Sequence, residues 1–124
     1  MKDTSDDFEI LFCENLIRMN PDFVPALSYL GDIYTKRGLY EEGLMMDKRL
    51  VSLRPEDPVA HYNLACSFSL LGNTEEAFKH LRLAVLLGYS DLSYILEDKD
   101  LANLRRDIRF NDTFRKLKRV LAEK

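Results

Sequence analysis

Apolar positions in the middle of the chain recur at helical spacing, and the arrangement then repeats. Leu27, Leu30, Ile33 and Tyr34 recur at steps that keep one face of a helix apolar. Gly38 supplies a residue that can turn left-handed at that helix's C-terminus. A second helix opens around Tyr40-Glu41-Glu42, where early acidic residues suit the positive end of the helix. It carries Leu44, Met45, Leu50, Val51 and Leu53, and it stops at Arg54-Pro55 because proline cannot continue it. Pro58 pre-sets the first turn of the next helix. The plan then returns: Leu64 to Leu71, a break at Gly72-Asn73, Thr74 as N-cap with Ala77 and Phe78 inside, and a stop near Gly88.

A shift of 34 residues brings the two units into register. It sets Leu30 on Leu64, Gly31 on Ala65, Tyr34 on Phe68 and Gly38 on Gly72. It also sets Glu41-Glu42 on Glu75-Glu76, Gly43 on Ala77 and Leu53 on Leu87. Two antiparallel helices cannot bury their apolar faces alone, so such units must stack on neighbours. Small residues at Gly31, Ala65, Gly43 and Ala77 let the helices approach closely.

The same shift organises the flanks. Leu16 falls on Leu50, Ile17 on Val51 and Asn20-Pro21 on Arg54-Pro55, so residues 5–19 read as a second helix without its first. Such an orphan caps the stack, leaves an apolar strip for another chain, or marks part of a longer array. After Ser90 the pattern lapses, and Asp98 and Lys99 stand where a leucine and a small residue belong. Short helical stretches follow, with Asp91, Asp100 and Asp107 as candidate N-caps. A longer helix from about Asp107 carries Phe110, Phe114, Leu117 and Leu121 on one face.

This order of residues resembles the tetratricopeptide repeat family, whose pattern sets a bulky residue, leucine, a small residue and an aromatic along the first helix. Small, apolar and small residues follow in the second, then proline. Leu27, Leu30, Gly31, Tyr34, Gly43 and Pro55 match in one unit, and Leu64, Ala65, Phe68, Ala77 and Ala84 in the next. Asp47, Leu50, His61 and Tyr89 depart from it. The resemblance implies an all-α, right-handed α-solenoid forming one domain over residues 1–124. Its parts are a half repeat at 5–21, repeats at 24–57 and 58–91, and an irregular helical cap at 92–124. It also implies a concave peptide-binding groove, with Tyr29, Asp32, Lys36, Tyr62, Asn63, Cys66 and Ser69 as site residues beside Ser28, Thr35 and Leu70. Asn63 matches an asparagine that family members use to hold a ligand's backbone. The alternative for Tyr29 and Tyr62 is packing between helices. The Lys/Asn/Arg clamp for chaperone tails finds only Asn63, since Ser28, Asp32, Ser93 and Leu96 stand at its other positions.

Composition narrows the function. With 124 residues and a net charge of −3, the chain has one domain's length and no overall basic field, so nucleic acid is not expected as a partner. Cys13 and Cys66 form neither a disulfide framework nor a metal-ligand spacing, which suits reduced thiols in a cytoplasmic protein. The acidic start Met1-Lys2-Asp3 is unlike a secretory signal, and the longest apolar run, Leu83 to Leu87, falls far short of the ~20 residues of a membrane span.

No enzyme, metal or cofactor site is expected. His61 and His80 sit in different helices without ligand spacing, Cys13 reads as a buried thiol, and Gly-rich phosphate loops and nucleophile elbows are missing. The expected role is a non-catalytic protein–protein interaction module, an adaptor or scaffold that binds a peptide segment. The alternative is a homo-oligomeric structural subunit, joined through its N-terminal half-repeat helix and oppositely charged ends. Residues 1–22 carry two basic and six acidic side chains, whereas residues 105–124 carry eight basic and three acidic. The alternative to such end-to-end pairing is a solvated helix face.

Overall fold

Each of the two units folds as a helical hairpin, and the second hairpin begins 34 residues after the first. The computed structural model describes residues 4–123, so Met1-Lys2-Asp3 and Lys124 lie outside the described residues. Helix α1 (Thr4–Met19) leads into the hairpin of α2 (Val24–Lys36) and α3 (Tyr40–Leu53). Helices α4 (Pro58–Leu70) and α5 (Thr74–Leu86) form the second. Then come α6 (Leu92–Glu97), a 3-10 turn (Lys99–Leu101), α7 (Ala102–Arg105) and α8 (Phe110–Ala122). The described residues contain no strand, and the fold is all-α.

Local chemistry sets the ends of the helices. Gly38 and Gly72 adopt φ of +78° and +79°, which only glycine takes readily. In each case the next amide reaches back to close the last turn, Leu39 N to Tyr34 O at 2.8 Å and Asn73 N to Phe68 O at 2.9 Å. Asp57 caps α4 through the amides of Val59 and Ala60, with Pro58 as its first residue. Two caps differ from the sequence reading. Asn73, not Thr74, accepts from Glu76 N, and Asp98, not Asp100, caps the 3-10 turn by accepting from Asp100 N. In both places the two candidate side chains are competent acceptors, and only the backbone direction chooses between them. Asp91 does cap α6, while Asp107 holds the amide of Arg109 just ahead of α8.

Consecutive helices pack on one another from α1 to α5. A Cβ on Gly43 would sit 2.7 Å from Thr35 Oγ1, so glycine there lets α3 lie close against α2. Ala65, Ala77, Leu81, Ala84 and Val85 are fully buried between α4 and α5. Ile95, Leu101, Leu104, Phe110 and Leu117 from the C-terminal segment close that core. Helix α6 starts 34 residues after α4, in register, but the chain turns at Asp98 where Leu30 and Leu64 stand in the earlier units. At the other end Cys13 of α1, flanked by Ile10, Leu16 and Ile17, packs on Ala26, Leu30 and Tyr34 of α2. Tyr34 Oη donates to Glu14 at 2.5 Å, and Arg37 pairs with Asp7. The outer face of α1 leaves Phe8, Leu11, Phe12 and Met19 exposed.

Candidate functional site

The shift of 34 carries Asp32 of α2 onto Cys66 of α4, and Cys66 onto Asp100 of the 3-10 turn. All three line one cavity of about 190 Å³. Lys36, Tyr62 and Asn63 line it too, so five of the seven expected site residues meet there. Tyr29 and Ser69 do not. Tyr29 is half-buried against the α1–α2 core and follows the helix-packing alternative. Ser69 has no exposed surface, because the C-terminal segment covers α4 at that point and Asn103 Nδ2 donates to the Ser69 carbonyl at 2.8 Å. Leu70 lines a neighbouring cavity that shares Thr35, Lys36, Tyr94, Asp98 and Asp100 with the first. Ser28 lines another cavity, of about 250 Å³, to which Asn63 also contributes.

Within the cavity Tyr62 is anchored. Its ring stacks on Tyr89 with centroids 4.2 Å apart, and its hydroxyl donates to Asp98 Oδ2 at 2.6 Å. Asp98 is itself buried; its Oδ2 lies 3.7 Å from Cys66 Sγ and its Oδ1 accepts from the amide of Asp100. Burial, reinforced by the Asp98 charge, holds the Cys66 thiol well above its ordinary pKa. Cys66 is therefore a neutral wall residue rather than a nucleophile. Burial likewise pushes the Tyr62 phenol up.

Asp47 of α3 completes the lining. It is 6% exposed, accepts from Ser67 Oγ at 2.5 Å, and is pushed up to about 6 by burial, with a smaller push from Asp32. The hydroxyl of Ser67 opposes that rise. The expected groove omitted Asp47, Tyr94, Asp98 and Asp100. For Asp47 and Asp98 a signal was present: both put an acid where the repeat pattern calls for an apolar or small residue.

On the opposite side of α4 the structure joins two residues that sequence spacing kept apart. His61 Nδ1 and His80 Nδ1 lie 3.0 Å apart, and His61 Nε2 lies 2.7 Å from the carbonyl of Pro55. A carbonyl only accepts, so His61 Nε2 carries a hydrogen; neutral His61 then accepts at Nδ1 from His80. Protonation of both rings would set two N–H groups against each other. Burial, with the nearby His61 next in weight, lowers the His80 pKa. Among the described residues no three His, Cys, Asp or Glu side chains gather as a metal-holding group.

No protein-family model matches the chain. Over 81 residues it is 35% identical to a curated protein of Arabidopsis thaliana that is described as chloroplastic. That match takes in 63% of this chain and 24% of the relative, so the chain spans about a quarter of the length of the curated relative it matches. Because the relative is a chloroplast protein, the match lends nothing to a cytoplasmic placement of this chain. Among the described residues no helix is long and apolar enough to cross a membrane.

Proposed function

We propose that this chain is a tetratricopeptide-type right-handed solenoid that serves as a non-catalytic adaptor, holding a peptide segment of a partner protein between α2, α4 and the 3-10 turn. The observation that carries the reading is the cavity itself. Equivalent positions of three successive units, Asp32, Cys66 and Asp100, turn toward one space, with Asn63 and Tyr94 beside them. A half-exposed asparagine amide and an exposed tyrosine give adaptable hydrogen bonds and rigid contact area at modest entropy cost. A groove built on so few repeats buries little area, so the affinity belongs near the micromolar range unless other surfaces add contacts. A compartment that keeps thiols reduced, such as the cytoplasm, suits the buried free Cys13 and Cys66.

A quantitative pull-down from source-cell lysate tests this. Asn63 is half-buried and Tyr94 exposed, so an Asn63→Ala/Tyr94→Ala double variant keeps the core intact. A partner bound by the wild type and lost by the double variant supports the groove; equal capture by both contradicts it.

The exposed Phe8, Leu11, Phe12 and Met19 on α1 favour a second reading, self-association through that helix and the basic α8. It requires oligomers that dissociate as salt rises, because exposed charges are screened. A salt-independent monomer by light scattering removes it.

A further inference from the structure

Four carboxylates from three parts of the fold line the cavity: Asp32 on α2, Asp47 on α3, and Asp98 and Asp100 at the 3-10 turn. Lys36 is the cation among the lining residues; it is exposed. The acids are not equivalent. Asp98 is satisfied within the fold by Tyr62, Cys66 and the amide of Asp100. Asp47 is not. Ser67 donates to its Oδ2, while no described residue donates to its Oδ1, an oxygen that is not fully enclosed, on a side chain that lines the cavity. Gly31 leaves room for that oxygen, since a Cβ there would stand 3.0 Å from Asp47 Oδ1.

A buried carboxylate with no counter-charge is unfavourable. The repeat shows that the fold does not require one. The 34-residue equivalent of Asp47 is Leu81, which is fully buried in the second hairpin. The first hairpin therefore keeps a charge beside the cavity where its own twin packs a leucine. Tyr94 adds an exposed ring on the same wall, tilted 36° to Tyr62 at 6.4 Å between centroids. Carboxylates with an aromatic ring suit one kind of guest, a positive head on an aliphatic stem.

We propose that the cavity receives a lysine or arginine side chain of the bound peptide, its charge held by Asp47 and Asp32 and its stem laid along Tyr94. This rests on the groove reading and names the chemistry that the groove selects. Arginine is the better guest, because its planar fork can serve two carboxylates at once. Lys36 repels it from the rim.

The test is an NMR titration of the ¹⁵N-labelled full chain with acetyl-Ala-Ala-Arg-Ala-Ala-amide. The control is the same peptide carrying citrulline, which keeps the shape and loses the charge. The arginine peptide shifts the amides of Gly31, Asp32, Ser67 and Asp100, and citrulline binds about tenfold more weakly or worse. Asp47→Asn keeps the shape and an oxygen for Ser67, so it folds and loses a similar factor. Lys36→Gln tightens binding by about twofold, as expected for an exposed, screened charge. Equal binding of the arginine and citrulline peptides overturns the cation assignment and leaves the groove reading standing. Shifts from neither peptide at millimolar concentration also overturn it, and the pull-down alone then judges the groove. Calcium chloride reproducing the same shifts at micromolar concentration overturns the side-chain assignment in favour of a metal ion.

Discussion

Asp47 shows how one residue can weigh on the fold and inform about the site. Its carboxyl is raised from the ordinary 3.8 to about 6, so between those values the folded chain binds more protons than the unfolded one. Its contribution to stability therefore falls as pH rises from about 4 to about 6 and stays low above that. Asp47→Asn should stabilise the unliganded protein at pH 7 by roughly 2–3 kcal/mol, with the gain shrinking toward pH 4. Urea unfolding of both proteins across that range checks it. A variant less stable than wild type at pH 7 would mean that the charge helps the fold. His80 has the opposite sign. Its folded pKa lies below the ordinary 6.5, so the stability it confers is present above that pH and is lost as pH falls through it. His80→Gln should flatten the loss of stability between pH 7 and pH 5, and an unchanged acid slope would count against the histidine pair as its source.

The helices themselves were largely legible, because what ends them is local. Glycines, prolines and capping side chains act within a few residues, so the boundaries near Gly38, Pro55, Pro58, Gly72 and Gly88 followed from the chain. What lay hidden depends on partners distant in sequence. Nothing near Ser69 foretold that Asn103 would reach its carbonyl and that the C-terminal segment would bury it. Nothing near His61 announced a ring nineteen residues away. Asp47 and Asp98 were visible as misfits, but their meaning needed the cavity between them. The element scale also gives a prediction for the turn at Gly72, whose positive φ strains any residue with a Cβ although no atom lies within 4 Å of one built there. Gly72→Ala should cost about 1 kcal/mol in urea unfolding, all of it from backbone strain. A cost near zero would mean that the turn relaxes to negative φ.

At the scale of the whole molecule, a repeated hairpin supplies two walls of the cavity and the irregular C-terminal segment supplies the third. Asp98 links these parts. It ends α6, its carboxylate takes the hydroxyl of Tyr62, and its backbone carbonyl accepts from Arg105. The segment that departs most from the repeat thus shapes the site. The shift of 34 leads to Asp100, but it sets Asp98 on the core position of Leu30 and Leu64, so repeat arithmetic alone leaves Asp98 out of the groove. On this account the partner approaches from the side of α2, α4 and the 3-10 turn, not across the exposed residues of α5. Site-specific photocrosslinking in source cells tests that most directly. A benzophenone amino acid replaces either Lys36, exposed at the rim of the cavity, or Lys79, exposed on α5. The account predicts a discrete partner crosslinked from position 36 and not from position 79. Crosslinks from position 79 with none from position 36 would contradict it, and would place recognition on the outer face.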